Sequence, residues 1–268
     1  MQLLEKDFQR IAAYVKGRYG INLDAKKTLI ESRLFGAVTA LGLKSYREYT
    51  ELVLSQPEGK DCQDMINRLT TNYSFFFRDT HYLEHLVHEA LPKLRAKGRA
   101  VTVWCAACAE GQEPFSVAMV LWQALCSSVK APGFSITATD INSEVLKKAR
   151  QGRYSKAEAE RIPPPYRGLI RLQKDGGFEV APALLDTISW KQQNLLDGSC
   201  PTELFDIVFC RNVLIYFNAA TKALITEKLY NSVRNGGYLY TGAAETLDLS
   251  RRFFRYIAPS IYRKEAAL

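Results

Sequence analysis

Three short stretches of this chain place reactive side-chain types where a sheet could present them together. The first is Val101 to Val120, VTVWCAACAEGQEPFSVAMV. A β-branched apolar run passes into the small residues Cys105 to Ala109, then Glu110-Gly111-Gln112-Glu113-Pro114, then apolar residues at helical spacing (Phe115, Ala118, Met119, Trp122). This reads as strand, tight turn, helix, and in an open α/β sheet the crevice at such a strand's carboxyl end is where ligands bind. The second is Asp140, which closes the strand Ser135 to Thr139. The third is Cys210-Arg211-Asn212 after the strand Asp206 to Cys210, with Tyr216 one turn further on.

The chemistry these residues suit is narrower than ligand binding in general. The first loop lacks G-x-G-x-x-G, and no G-K-[ST] follows, so neither a dinucleotide nor a triphosphate loop is present. Glu113 near the helix start would repel phosphate and hold a cation. An ordinary βα turn with a helix-capping glutamate carries the same residues. An acid at the end of the second strand accepts hydrogen bonds from ribose hydroxyls, although Asp140 could equally cap the next helix through Asn142-Ser143-Glu144. Together the two acids favour a nucleoside ligand with no phosphate requirement, which fits S-adenosylmethionine better than NAD or ATP.

Three other patterns lead elsewhere. Cys105 and Cys108 form a C-x-x-C with no second pair, so they read as structural thiols rather than zinc or redox groups. His81, His85 and His88 share one helix and project opposite the apolar stripe, on a solvent face. Pro164-Pro165-Tyr166 resembles the (N/D)-P-P-Y motif of amino-group methyltransferases, but it does not follow the fourth strand, where that motif belongs. No metal site is expected.

The elements that must position these residues follow from periodicity. Phe8, Ile11, Ala12, Val15 and Tyr19 mark a helix closed by Gly20. Asp24 can cap a second helix with the stripe Ile30, Leu34, Ala37, Val38 and Leu41. Ser45 to Glu48 is a capping box opening a third, and a fourth runs from about Asp61 to Leu69. Residues 1–70 therefore read as a helical recognition or docking domain, with Lys26, Lys27 and Arg33 as a basic ridge on its second helix. From residue 71 to 268 the grammar changes. Asp79 or Thr80 can cap a helix with the stripe Leu83, Leu86, Val87, Ala90, Leu91 and Leu94. Strands and helices then alternate, which implies a mostly parallel sheet with helices on both faces, and a last strand lies near Tyr256 to Tyr262. Between residues 155 and 192, Pro163-Pro164-Pro165 and short strands at Leu169 to Leu172, Gly177 to Val180 and Thr187 to Trp190 read as a small antiparallel insertion.

The 268 residues carry a net charge of +8, which points to an acidic partner without choosing among nucleic acid, membrane surface and protein. The six cysteines (Cys62, Cys105, Cys108, Cys126, Cys200, Cys210) are scattered and several sit in apolar runs. With a Met1 start lacking a signal peptide and no run approaching a membrane span, a reducing cytoplasm is expected.

Asn72-x-Ser74-x-Phe-Phe-Arg78, Cys108-Ala-Glu-Gly-Gln-Glu113-Pro-Phe-Ser, Ala-Thr-Asp140-Ile and Cys210-Arg211-Asn212-Val-Leu-Ile-Tyr216-Phe occur in one order, and in that order they resemble the chemotaxis receptor glutamate methyltransferases, the CheR family. The resemblance covers nearly the whole chain. It implies an α/β class I (Rossmann-like) methyltransferase fold with a mostly parallel seven-stranded sheet whose final strand is antiparallel. It also implies an N-terminal all-helical domain and a small antiparallel β-subdomain at about residues 165–190. S-adenosylmethionine would be the methyl donor and S-adenosylhomocysteine the product. Asn72, Ser74 and Arg78 match the segment that folds over the cofactor, with Ser74 where threonine is common. Glu113 matches a cofactor-contacting acid, Asp140 the ribose acid, Asn194 and Leu195 the adenine side, and Cys210 and Arg211, with Asn212, the backbone contacts after the fourth strand. Arg78 and Tyr216 match the residues nearest the reacting groups.

The implied reaction is methylation of glutamate side chains on chemoreceptors, an in-line displacement in which the carboxylate is already ionised and no general base is needed. The implied partner is the acidic helical bundle of membrane-bound receptors, approached from the cytoplasm by a monomer that neither enters the membrane nor binds nucleic acid. The second helix is less basic than the family's, with Gly36, Ala37 and Thr39 where arginines are expected. The short insertion suggests a member that does not need a receptor's C-terminal pentapeptide as a tether. Two alternatives remain: a nucleic-acid methyltransferase of the same fold, favoured by the charge, and a non-catalytic S-adenosylmethionine-responsive adaptor.

Overall fold

The computed structural model describes residues 1–125, 133–198, 202–248 and 254–265, so Cys126 and Cys200 lie outside the described residues. Four helices open the chain: α1 (Glu5–Tyr19), α2 (Lys27–Ala40), α3 (Tyr46–Ser55) and α4 (Lys60–Leu69). Phe8, Ile11, Ala12 and Val15 of α1 pack with Ile30, Leu34, Ala37 and Val38 of α2, Tyr49 and Val53 of α3, and Met65 and Ile66 of α4 in one core. Gly20 ends α1 at φ 72°, its N–H bonded to the Lys16 carbonyl at 2.9 Å. A Cβ there would meet the Thr221 side chain at 2.7 Å, so the glycine serves both the turn and the docking of this helix on the second domain. Asp24 does not cap α2. It pairs with Lys16 at 2.6 Å, and the N-cap of α2 is Lys26, with no side-chain acceptor.

The strands, in chain order, are β1 (Val101–Ala106), β2 (Phe134–Asp140), β3 (Arg153–Tyr154), β4 (Ile170–Leu172), β5 (Phe178–Val180), β6 (Ile188–Gln192), β7 (Phe205–Cys210), β8 (Val233–Thr241), β9 (Arg255–Ala258) and β10 (Ile261–Arg263). Seven form one sheet in the order β6-β2-β1-β7-β8-β10-β9. The pairs β6·β2, β2·β1, β1·β7 and β7·β8 are parallel, and β10 runs antiparallel to both β8 and β9. β7 is buried throughout and β1 at every residue but the half-buried Thr102, as strands covered by helices on both faces must be. The strand order reverses between β1 and β7, which puts a crevice at their carboxyl ends.

Two strand assignments change. Thr187 to Trp190 belongs to the main sheet, since Ile188–Gln192 pairs with β2 as the edge strand, while the small antiparallel sheet is β3-β5-β4. The expected last strand is a hairpin, broken at Ser260, whose φ of 65° no strand interior tolerates. The triple proline excludes an α-helix, and a 3₁₀ segment runs over Pro164–Leu169.

Helical backbone runs from His81 to Arg95 with a π-helical middle, Leu86–Ala90. Thr80 holds the N-cap position but makes no side-chain cap hydrogen bond. His81 and His88 are exposed, but His85 turns inward, its Nδ1 3.0 Å from the Tyr240 hydroxyl, and burial pulls its pKa down. The wide turn rotates residues before it relative to those after it, and a projection at 100° per residue misses that. Among the described residues no cluster of three or more His, Cys, Asp or Glu could hold a metal ion, and no helix is long and apolar enough to cross a membrane.

Asp206 at the start of β7 is the main buried charge under the sheet. Arg99 grips it through both terminal nitrogens, one at 2.7 Å, and the Thr102 N–H donates to it at 3.0 Å. Burial alone would raise its pKa, but the Arg99 hydrogen bond and the Thr102 donors outweigh that and hold the carboxyl below its usual range. Its contribution is therefore complete above the unfolded carboxyl's pKa and is lost as pH falls through the lower folded value. Asp206→Asn is expected to cost about 3 kcal/mol at neutral pH. In thermal melts, its deficit against the parent chain should shrink as the pH is taken below 4, the reference aspartate value being about 3.9.

Candidate active site

A cavity of about 280 Å³ opens over the carboxyl ends of β1, β2 and β7. Its floor is Ala107, Cys108 and Ala109, one wall is Asp140 and Ile141, and another is Arg211 to Val213 with Tyr216 and Phe217. The segment Thr70 to Phe75 with Arg78 covers it, and Tyr19, Ile21, Leu23, Lys26 and Leu29 of the helical domain close the remaining side. Backbone strain concentrates here: Ala107, Ala109 and Asn212 of the lining have φ of 65°, 49° and 57°, and Phe77 and Asp79 flank Arg78 at 55° and 53°. Non-glycine residues in this region cost free energy and cluster where a site needs exact backbone placement.

Of the cofactor-binding and catalytic candidates, Asn72, Ser74, Arg78, Glu113, Asp140, Asn194, Leu195, Arg211, Asn212 and Tyr216 all line this cavity, and Cys210 does not. Cys210 is fully buried in the apolar cluster beneath, and burial pushes its thiol pKa up. Its side chain faces the sheet's packing layer, the alternation that every strand imposes. Cys105 and Cys108 are likewise buried, uncombined thiols with raised pKa, as expected of structural cysteines.

Asp140 is 6% exposed. One carboxylate oxygen accepts the Ala109 N–H at 2.8 Å and the other accepts the Asn142 N–H at 2.9 Å. Burial raises its pKa, and the backbone N–H groups of Asn142, Ala109 and Ile141 pull it back only partly. An ionised carboxylate has about four acceptor positions. Acceptor capacity is left for a hydroxyl donor in the cavity, as a ribose would supply. Asp140→Asn is expected to weaken S-adenosylmethionine binding by about 10- to 100-fold, the cost of a lost hydrogen bond to a charged group. Titration calorimetry with S-adenosylhomocysteine tests this, and unchanged affinity would leave Asp140 only as the organiser of the loop.

Glu113 is engaged by the chain itself. Its carboxylate is 2.7 Å from Arg211 Nη1, while Arg211 Nη2 is 2.7 Å from Asp79 and the guanidinium lies 3.9 Å above the Tyr82 ring centroid. Burial raises the Glu113 pKa and Arg211 opposes the rise. Two carboxylates share one arginine, so the cluster keeps negative charge beside the cavity and suits a cationic ligand. Arg211 thus acts through its side chain as well as its backbone. The Nε of Arg211 is buried without a partner.

The covering segment is tied down at Phe77 and braced within itself by Arg78. The Phe77 N–H donates to Ser116 Oγ at 3.0 Å, and Phe77 stacks on Tyr166 with centroids 4.9 Å apart. Arg78 donates to the Tyr73 carbonyl at 3.2 Å, with its guanidinium carbon 5.7 Å from the Tyr73 ring centroid and 5.5 Å from that of Phe75.

Several site residues escape a reading by pattern. The helical domain forms a wall of the cavity as well as any docking surface: Ile21 bridges Phe217, and the Asn22 N–H donates to the Tyr216 carbonyl at 3.0 Å. Asn194 Nδ2 donates to the Arg18 carbonyl at 2.9 Å, so that amide holds the two domains together. Lys228 donates to the carbonyls of Leu196 and Asp197 at 2.5 and 2.9 Å and steadies the loop bearing Leu195. Glu245, 5% exposed, accepts the N–H groups of Asn212 and Gly242 at 2.7 Å and of Ile215 at 3.2 Å. It orders the turn carrying Tyr216, and Gly242 is required because a Cβ would fall 2.6 Å from that carboxylate. No periodicity signals any of these.

The basic ridge does not assemble as expected. Arg33 spends its guanidinium on the Leu69 and Thr70 carbonyls, at 2.8 and 3.0 Å, stapling α2 to the end of α4. Lys27 pairs with Glu5 at 3.0 Å, and Lys26 lines the cavity. The outer face of α2 is Thr28, Ser32, Phe35, Gly36, Thr39 and Ala40, all exposed and neutral.

Residues 6–70 match the family model described as CheR methyltransferase, all-alpha domain, and residues 72–262 that described as CheR methyltransferase, SAM binding domain. The chain is 31% identical over 273 residues to a chemotaxis protein methyltransferase of Borreliella burgdorferi, covering 98% of this chain and 96% of that one. It is 34% identical over 248 residues to a probable chemotaxis protein methyltransferase of Rhizobium etli, with 90% and 92% covered. Against the chemotaxis protein methyltransferase of Escherichia coli the identity is 33% over 268 residues, with 94% and 89% covered.

Proposed function

Because the chain belongs to the CheR methyltransferase family, we propose that it methylates glutamate side-chain carboxylates on the cytoplasmic helices of bacterial chemoreceptors. The observation that carries this is the meeting of Glu113, Asp140, Arg78 and Tyr216 around one cavity. The cavity fits S-adenosylmethionine: Asp140 has acceptors to spare for ribose hydroxyls, the Glu113 cluster suits the cationic methionine end, and Ile141 and Leu195 give apolar surface on the adenine side. Bound there, S-adenosylmethionine supplies an activated methyl group.

The chain's own residues have a positioning task. A glutamate carboxylate is ionised at neutral pH, its reference pKa being about 4.3, so no side chain has to remove a proton. Arg78 holds one carboxylate oxygen through its planar fork and leaves the other free to attack. Tyr216, whose backbone is fixed by Asn22 and by the Glu245 turn, orients the carboxylate from the opposite wall. The helical domain and the Asn72 to Arg78 segment exclude water. Alignment of this kind can be worth roughly 7–11 kcal/mol of barrier.

Tritiated methyl transfer to membranes containing individual chemoreceptors tests the reading. A carboxyl methyl ester is released by alkali, so label that withstands base, or no label on any receptor, sinks it.

A further inference from the structure

We propose that the amino ends of the central strands carry an anion-binding site, separate from the catalytic cavity, that takes a phosphate group between Lys97 and Arg263. Five basic side chains gather at this end of the sheet. Lys97 and Arg99 precede β1, Arg234 stands at the start of β8, Arg263 ends β10 and Lys264 follows it. Two carboxylates face them: Asp206 takes Arg99 and, at 3.4 Å, Arg234, while Glu203 lies 3.5 Å from Lys264. Among the described residues no carboxylate pairs with Lys97 or Arg263, so the cluster keeps an excess of positive charge.

The two unmatched cations converge on one gap. A Cβ built on Gly236 would lie 3.6 Å from Arg263 Nη2 and 3.6 Å from Lys97 Nζ, and beyond its chain neighbours nothing else comes within 4 Å. Gly236 has a φ of 78°, a conformation that favours glycine, and the missing side chain leaves the space open. The two nitrogens are therefore at most about 7 Å apart, and an oxyanion accepting charge-assisted hydrogen bonds of roughly 2.8 Å on two of its oxygens spans any separation up to that. Long cationic side chains left to themselves splay into water to reduce their repulsion. These are tethered instead. Lys97 Nζ donates to the Asn235 carbonyl at 3.1 Å, which leaves two of its three protons for a ligand. Arg263 is half-buried with its guanidinium carbon 5.8 Å from the Tyr238 ring centroid, and its Nε is enclosed without a partner. Desolvation, with the neighbouring Arg99, Arg234 and Arg263, holds the Lys97 pKa below its usual range against the pull of Asp206, as expected where positive charge is in excess. The catalytic crevice lies at the opposite ends of the same strands, so a phosphate held here does not compete with S-adenosylmethionine.

The probe is sodium pyrophosphate, titrated calorimetrically into the full chain at constant ionic strength. One site is expected, undisturbed by saturating S-adenosylhomocysteine. Lys97→Gln and Arg263→Gln should each weaken it about tenfold, the scale of one lost charge-assisted hydrogen bond. Lys147→Gln, which removes a positive charge from the helix Ser143–Gln151, should leave it unchanged. Parental S-adenosylhomocysteine affinity in all three variants shows that they fold. Co-sedimentation with phosphatidylcholine vesicles, with and without phosphatidic acid, then identifies the source of the phosphate. Capture that needs phosphatidic acid and is lost in Lys97→Gln and Arg263→Gln assigns the site to a lipid head group, and pyrophosphate binding without such capture assigns it to a soluble phosphate. Absence of both pyrophosphate binding and phosphatidic-acid-dependent capture overturns the proposal. So does displacement of pyrophosphate by S-adenosylhomocysteine on the parent chain, or an equal loss in Lys147→Gln, which would mean that net charge alone attracts the anion.

Discussion

Arg78→Ala is expected to lower kcat/KM for receptor methylation by about 100-fold, the usual scale for removing one preorganised donor from a reacting oxygen. The loss should fall mainly on kcat. Arg78 stands on a turn whose neighbours on both sides are in the left-handed region, and its guanidinium is held between Tyr73 and Phe75 with one nitrogen on the Tyr73 carbonyl. Backbone strain and aromatic packing have thus already fixed the fork before substrate arrives. Arg78→Lys keeps the charge but loses the planar geometry and should recover little. Because Arg78 also lines the cofactor cavity, S-adenosylhomocysteine affinity is to be measured separately. Near-parental transfer by the alanine variant, or a loss fully accounted for by cofactor affinity, would remove Arg78 from the chemistry.

What could be read from the chain beforehand was local. The β1 strand, its small-residue loop and the helix from Gln112 announce themselves through β-branched residues giving way to alanines and then to helical spacing, and Asp140 stands out because it ends a strand. What escaped depends on contacts distant in sequence. Ile188–Gln192 is too short and too polar to reveal which sheet it joins, and only pairing with β2 decides it. The Ile21 bridge to Phe217, which turns the helical domain into a cavity wall, spans most of the chain. Arg33 looked available because helical spacing gives a side chain's direction and says nothing of the carbonyls waiting at the end of α4. Asp79 has the residue type of a helix cap, yet a cap needs extended backbone, and its left-handed φ sends the carboxylate to Arg211 instead.

That Arg211 cluster sets the largest stability effect expected of the site. Arg211→Met should destabilise the chain by about 3–5 kcal/mol at neutral pH, because removing one member of a buried ion pair strands the others. Most of the cost falls on Glu113, whose side chain is 11% exposed. Asp79, at 36%, is solvated enough to stand alone. Arg211 now opposes the rise that burial imposes on the Glu113 pKa, and without it the folded value climbs further above the unfolded one. A carboxyl whose folded pKa is raised destabilises the fold when ionised. The penalty is full above the folded pKa and vanishes below the unfolded one. The Arg211→Met deficit in thermal melts should therefore narrow as pH falls from neutral, and Arg211→Met combined with Glu113→Gln should be more stable than Arg211→Met alone. Strictly additive losses in that pair would mean that the two side chains do not support each other. In that case the negative charge beside the cavity would have to come from Asp79 or Asp140.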